Sequence, residues 1–267
     1  MQKILEAKHT LWLEILFGAF TLPCEQKEQL LDFAMIEYRH LKWIAKEIVK
    51  NGQDFDWSRE EPKIQFADTK ELLEYLVNKL ARMSYPEGPL FDRIRSDEEY
   101  MRFRLQRLAK VPSQPINAFS KELRYGGLEA KSVQALVQFL FDEIYKEYEL
   151  ILVYTYAQLH TKEARLGLIF EDLIYESIYH LKSFASLAAK LGILFVPREV
   201  MKEVYKFDDL SKFLQEGIEE EMAAKEQCRA LSAAIEDEEL RRFFDFIDKQ
   251  ESYHIELMKE ALEVTKR

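Results

Sequence analysis

Apolar residues recur every three to four positions through almost the whole chain, and this helical period constrains the fold more than any other feature. The chain has 267 residues but only 8 Gly and 7 Pro, so few positions favour the turns that join strands. No G-x-G-x-x-G or other glycine-rich phosphate loop occurs, which argues against a Rossmann-type enzyme. The sequence therefore predicts an all-α protein with helices over residues 2–20, 24–51, 68–84, 96–110, 129–160, 163–191, 208–235 and 237–264.

Helix-boundary residues support several of these ends. Asp68 and Asp237 are expected N-caps, because a carboxylate accepts hydrogen bonds from the free N–H groups of a first helical turn. Gly52 and Gly192 are expected C-terminal stops, because glycine readily adopts the left-handed conformation.

The two halves of the chain share residues at an offset of 140. The pattern His40-Leu41-Lys42, Ala45, Lys50, Gly52 recurs as His180-Leu181-Lys182, Ala185, Lys190, Gly192. We therefore predict a duplicated chain: a helical bundle at 1–115, a linker at 116–128 and a second bundle at 129–267. The alternative is that two amphipathic helix pairs converged on similar patterns.

Charge and cysteine content narrow the function. The formal net charge is −10, which disfavours a nucleic-acid surface. Cys24 and Cys228 form no C-x-x-C, so a zinc ribbon or rubredoxin-type iron site is excluded. The charged N-terminus does not resemble a signal peptide, and no apolar run reaches the roughly 20 residues of a membrane span. We expect a cytoplasmic protein with neither nucleic acid nor membrane as a partner.

Three of the five histidines follow a glutamate by three residues. These pairs are Glu6/His9, Glu37/His40 and Glu251/His254. Residues at this spacing share one helix face, so an inward-facing pair can bind one metal ion. Dinuclear iron or manganese sites in four-helix bundles take a Glu from each of two helices and a Glu-x-x-His from each of the other two.

The C-terminal half fits that template. In each of its four long helical segments an ionisable residue interrupts an apolar stripe, at Glu147, His180, Glu221 and Glu251/His254. A buried carboxylate needs a partner cation, proton or metal. Glu147 precedes His180 by 33 residues and Glu221 precedes His254 by 33, so two helix pairs repeat each other. The spacing predicts one shared centre.

The C-terminal helix pairs also carry a set of motifs. These are Ile218-x-x-Glu221-x-x-Ala224, then Glu251-Ser252-Tyr253-His254-Ile255-Glu256-Leu257, and on the preceding pair Glu147 with Tyr154 seven residues later and His180-Leu181-Lys182. Together they resemble the ferritin-like superfamily, in particular rubrerythrin-type four-helix bundles, over residues 129–264. The resemblance implies metal ligation by Glu147, His180, Glu221, Glu251 and His254, and a catalytic role for Tyr154 beside the metals.

One position departs from the family pattern. Ser177 stands where a glutamate three residues before His180 is expected, and Glu176 lies one residue earlier. Glu176 is near the same helix face and is a candidate sixth ligand. The alternative is that Glu176 contacts a neighbouring helix and the site is one carboxylate short.

The resemblance implies an oxidoreductase with two Fe ions, or Mn, acting on dioxygen or hydrogen peroxide, with no haem, flavin or nucleotide. Because the chain has no rubredoxin domain, electrons are expected from a separate donor protein, and a homodimer is a possible assembly. Two alternatives stay open. One is a non-catalytic interaction or scaffold protein with a degenerate metal site, and the other is a di-iron oxygenase of a small organic substrate.

The N-terminal half resembles a degenerate copy of the same bundle, which has lost part of the ligand pattern. Glu6, Glu37 and His40 fall near first-pair ligand positions and form a candidate second, partial site, which His9 can join. No complete dinuclear ligand set is expected there. The simpler interpretation of Glu6/His9 is a solvated surface pair, and a combined site with ligands from both halves is also open.

Overall fold

The computed structural model describes residues 1–116 and 129–266, and their regular secondary structure is helical apart from one isolated bridge between Asp68 and Pro115. The predicted all-α class is confirmed for these residues. The helices are α1 Gln2–Ala19, α2 Cys24–Lys50, α3 Thr69–Ala81, α4 Pro89–Leu108, α5 Ala130–His160, α6 Ala164–Lys190, α7 Lys202–Tyr205, α8 Leu210–Ala234 and α9 Glu238–Thr265. Residues 117–128, which carry almost all of the predicted linker, lie outside the described ranges.

The predicted N-caps and C-terminal glycine stops are present in the structure. The side chain of Asp68 accepts a hydrogen bond from the N–H of Glu71, and that of Asp237 accepts one from the N–H of Leu240, both at 2.9 Å. Gly52 and Gly192 have φ values of 73° and 74°, the left-handed conformation that ends a helix.

The predicted start of one helix was wrong, and one short helix was not predicted. The helix expected from residue 96 begins at Pro89, because proline suits the first helical position and Phe91 and Ile94 continue the buried stripe. The short helix α7 was not predicted, since four residues are too few to show a period.

The chain divides into two compact units. The described residues of the first are 1–116 and 189–199, and those of the second are 129–188 and 200–266. In the first unit α1 packs against α2 and α3, and α4 packs against the same two helices. Each of these four helices therefore has two helical neighbours around a common core.

The core of the second unit is formed by four long helices. Helix α8 packs against α5 and α9, and Phe139 of α5 contacts the ring of Phe184 on α6 and that of Phe244 on α9. Phe184 also contacts Phe243 of α9, so α5, α6, α8 and α9 enclose one core. This arrangement positions the polar residues described below.

Among the described helices, none is both long enough and apolar enough to cross a membrane.

Candidate metal centre

Five buried ionisable residues meet in the core of the second unit. They come from all four long helices: Glu147 on α5, His180 on α6, Glu221 on α8, and Glu251 and His254 on α9. Each lies on the inner face of its helix because apolar residues flank it at helical spacing. The four-helix convergence that the sequence predicts is therefore present.

The two imidazoles face the same carboxylate from different sides. His180 Nδ1 lies 2.9 Å from Glu147 Oε1 and 3.5 Å from Glu251 Oε1. His254 Nδ1 lies 3.3 Å from Glu251 Oε2 and 3.8 Å from Glu221 Oε2. The ring centroids of the two histidines are 4.7 Å apart. Glu251 thus presents one oxygen to each imidazole.

These contacts define two adjacent groups that could hold a metal ion. One is Glu147, His180 and Glu251, and the other is Glu221, Glu251 and His254, with potential ligand atoms within 4.8 Å of one another in each group. Both groups are fully buried, and Glu251 belongs to both. Two carboxylates and one imidazole make a ligand set suited to iron or manganese with coordination positions left over.

The structure shows how far Glu176 replaces the glutamate that the family pattern expects at Ser177. Glu176 is half-buried, and its carboxylate forms a third group with His180 and His254. It therefore reaches both imidazoles, as its position one turn before His180 suggested. Ser177 itself is completely buried on the inner face of α6.

Several buried atoms of the cluster lack a hydrogen-bond partner among the described residues. They are Glu147 Oε2, Glu251 Oε2, His180 Nε2, His254 Nε2 and Ser177 Oγ. Buried polar atoms are nearly always paired in folded proteins. An unpaired carboxylate oxygen beside two imidazoles, in an N/O ligand set, fits a centre that binds metal.

The pKa values of the ionisable groups in the cluster are shifted in different directions. Burial raises the pKa of Glu251 well above its usual range, and the hydrogen bond and negative charge of Glu221 raise it further. Burial also opposes ionisation of Glu221, but hydrogen bonds from Glu251 and His254 outweigh it and lower the pKa of Glu221 to about 2. Burial lowers the pKa of His254, but its bonds to Glu221 and Glu251 hold that pKa well above the usual value.

A further carboxyl group near the centre was missed. Glu143 lies one helical turn before Glu147 on α5 and is half-buried. Burial raises the pKa of Glu143 to about 8, and the charges of Glu147 and Glu221 add to the effect. The i, i+4 spacing from Glu147 was the available signal, and the sequence interpretation did not use it.

Tyr154 is buried two turns after Glu147, and its hydroxyl donates to Met258 Sδ at 3.7 Å. Burial raises the pKa of Tyr154, and the nearby carboxylates of the cluster add to it, so the phenol stays neutral. Gly217 leaves room for the methionine, because a Cβ there would overlap Met258 Cε.

The first unit contains a different buried cluster. The ammonium of Lys8, with no exposed surface, lies 2.7 Å from Glu37 Oε2, pairs with Glu98 and lies 3.5 Å from His40 Nδ1. His40 Nε2 lies 3.2 Å from Asp97 Oδ2. Of the predicted partial site, Glu37 and His40 are together, and the sequence interpretation missed Lys8, Glu98 and Asp97.

The other two residues considered for that site lie elsewhere. Glu6 accepts a hydrogen bond from Ser58 Oγ at 2.8 Å. His9 is completely buried beside the rings of Trp12 and Trp57, so the expectation of a solvated Glu6/His9 pair was wrong. Burial lowers the pKa of His9 to about 3, with a smaller contribution from the charge of Arg59.

The chain matched no protein-family model, no curated protein and no solved structure.

Proposed function

We propose that the second unit is a ferritin-like four-helix bundle with a dinuclear iron or manganese centre, and that the chain is an oxidoreductase acting on dioxygen or hydrogen peroxide. The observation that carries the proposal is the position of Glu251. Its two oxygens lie 3.5 and 3.3 Å from the Nδ1 atoms of His180 and His254. A carboxylate shared in this way by two imidazole-containing groups suits two neighbouring metal ions better than one.

The ligand roles follow from the two groups. Glu147, His180 and Glu251 would hold one ion, and Glu221, Glu251 and His254 would hold the other. Glu176 reaches both imidazoles from a half-buried position and is a candidate sixth ligand at the edge of the set. When bound, such a pair of ions supplies redox equivalents and open coordination positions for oxygen species.

The surrounding side chains would control water and protons. Tyr154, Met258 and Phe170 form a buried wall on one side of the cluster, with the Tyr154 and Phe170 rings stacked at 6.1 Å. The Tyr154 hydroxyl holds its proton at neutral pH because burial and the carboxylates of the cluster raise its pKa. Tyr154 is therefore a candidate donor of a proton and an electron together.

A separate protein would deliver electrons. The sequence contains no C-x-x-C and only two cysteines, so a rubredoxin-type centre within the chain is excluded. The first unit would not bind a second metal pair, because Lys8 already supplies a cation to Glu37 and Glu98.

Metal analysis of the purified full chain tests the proposal. We expect about two iron or manganese ions per chain, and loss of both ions in Glu221→Gln and His254→Ala. Glu219→Gln is the matched control, because Glu219 is exposed on the same helix. Metal-free wild-type protein with unchanged stability would contradict the proposal and favour a non-catalytic helical protein.

Reaction with peroxide then tests the chemistry. We expect the metal-loaded chain to consume hydrogen peroxide in the presence of a reductant, and Glu251→Gln to consume none. Metal-loaded protein that is inert toward peroxide but consumes dioxygen with an organic substrate would favour an oxygenase.

A further inference from the structure

Ser177 is a buried serine at the centre of the second unit whose hydroxyl has no hydrogen-bond partner among residues 1–116 and 129–266. It lies one helical turn before His180 on the same face of α6, and its exposed fraction is 0%. A serine inside a helix usually donates to the carbonyl oxygen one turn back. Ser177 Oγ has no hydrogen-bond partner among the described residues.

The first unit shows what a longer side chain does at the corresponding position. Glu37 precedes His40 by three residues, as Ser177 precedes His180. Glu37 is completely buried, and its carboxylate lies 2.7 Å from Lys8 Nζ and 3.5 Å from His40 Nδ1. The first unit thus places a carboxylate before its histidine, and the second unit places a short hydroxyl there.

The ligand set of the second unit is correspondingly asymmetric. The two fully buried groups share only Glu251, which α9 supplies three residues before His254. On α6, the residue three before His180 supplies no carboxylate to either group. Glu176 does not restore the symmetry, because it is half-buried and belongs only to the group containing the two imidazoles.

We propose that the second unit binds a small carboxylate ligand at Ser177. This inference rests on the proposed dinuclear centre. The carboxylate of the ligand takes the place of the missing glutamate, contacts the metal ions, and accepts a hydrogen bond from the Ser177 hydroxyl. The substrate class of the site is then a small organic acid, recognised by its carboxylate.

The first test uses cobalt(II)-loaded full-length protein and acetate. The visible absorption of cobalt reports changes in its ligands without requiring turnover. We expect a saturable spectral change with acetate in the wild-type protein, and about tenfold weaker acetate binding in Ser177→Ala, which loses the hydroxyl that donates to the ligand. Wild-type affinity in Ser177→Ala would overturn the inference. Ser177→Glu supplies the carboxylate from the protein, and we expect its acetate affinity to fall by about tenfold or more.

Ser183→Glu is the matched control on the same helix. The Ser183 hydroxyl donates to the carbonyl oxygen of Tyr179 at 2.9 Å, and this position is on another face of α6. This variant adds the same charge and should bind acetate like the wild-type protein. Equal loss in Ser183→Glu and Ser177→Glu would overturn the inference, because the effect would then be one of net charge.

A second measurement needs no variant, so it holds even if Ser177→Glu does not fold. Linkage requires that a ligand bound to the metals strengthens metal binding in return. We expect acetate, compared with chloride at equal ionic strength, to raise the cobalt affinity, measured by equilibrium competition with a chelator, by about threefold or more.

The outcomes separate the two proposals. Cobalt bound at about two ions per chain with no acetate effect on its spectrum or its affinity would overturn the carboxylate inference and leave the dinuclear centre standing. Failure to bind cobalt would overturn the dinuclear centre, and the inference with it.

Discussion

The two units place buried carboxylates in their cores with different counter-charges. In the first unit the cation is a side chain, since Lys8 pairs with Glu37 and Glu98. A third buried glutamate of the first unit, Glu14 on α1, also pairs with a lysine, and its Oε2 lies 2.6 Å from Lys79 Nζ. The second unit has three fully buried glutamates around two histidines, and several of the side-chain atoms lack partners among the described residues.

This difference shows two ways of placing carboxylates in a helical core. A buried carboxylate requires a cation, a proton or a metal. In the first unit Lys8 supplies a cation from the chain itself. In the second unit two histidines surround the shared carboxylate, and under the proposed function metal ions would balance the remaining charge.

The largest expected effect is in the first unit. Lys8→Met removes the buried cation and leaves Glu37 and Glu98 without their counter-charge. We expect the free energy of unfolding to fall by about 3–5 kcal/mol, because an uncompensated buried charge is costly. Denaturant unfolding of the full chain measures it, and Lys3→Met, at an exposed position, is the control. A loss under about 1 kcal/mol would mean that Lys8 is not the required cation.

The second prediction separates the units by metal affinity. Glu251→Gln removes the carboxylate common to both ligand groups, and we expect metal affinity to fall more than about 100-fold. Glu37→Gln, the buried glutamate of the first unit, should leave the metal content of the chain unchanged. Calorimetric metal titration measures both, and loss of metal in Glu37→Gln would contradict the assignment of the site to the second unit.

The third prediction concerns pH. Glu251 and His254 both have pKa values raised well above their usual ranges, so both hold protons near neutral pH. A metal ion must displace these protons, so metal affinity should rise with pH. We expect about a tenfold gain per pH unit for each proton released, measured by titration between about pH 6 and 8. Affinity independent of pH would contradict the proposed ligands.

The smallest expected effect concerns Asp97, at the edge of the buried cluster around Lys8 and His40 in the first unit. Burial opposes ionisation of Asp97, but hydrogen bonds from His40 and Arg93 outweigh it and lower its pKa. A carboxylate with a lowered pKa stabilises the fold above its ordinary pKa near 4, and this contribution is lost as pH falls. Asp97→Asn should cost about 1 kcal/mol at pH 7 and less in acid, without changing metal content. An equal cost at pH 7 and in acid would contradict this account.

Sequence periodicity predicted the helical class and most helix ends because the apolar stripes and caps are local signals. Asp68, Asp237, Gly52 and Gly192 act through neighbours within one turn, so their roles can be deduced without the tertiary structure. The start of α4 was misplaced because Pro86, Gly88 and Pro89 stand close together there and are typical of a loop.

The candidate metal centre was also accessible from sequence, because each of its residues interrupts an apolar stripe. The equal spacing from Glu147 to His180 and from Glu221 to His254 indicated that they meet. The position of Glu176 near both imidazoles required the three-dimensional structure. From sequence, its place on α6 is compatible either with the metal centre or with a contact to a neighbouring helix.

The Lys8 cluster could not be predicted, because lysine is almost never fully buried. Its partners Glu37 and Glu98 lie 29 and 90 residues away along the chain. Only the packing of α1 with its neighbours brings these charges together, and no local pattern records that.

An anomalous-difference map from crystals of the metal-loaded full chain, collected at the absorption edge of the bound metal, tests the central claim most directly. We expect two peaks, one beside each oxygen of Glu251 and within bonding distance of His180 and His254, and no peak beside Lys8. A peak between Glu37 and Glu98, or none beside Glu251 in crystals soaked with excess iron or manganese, would contradict the account.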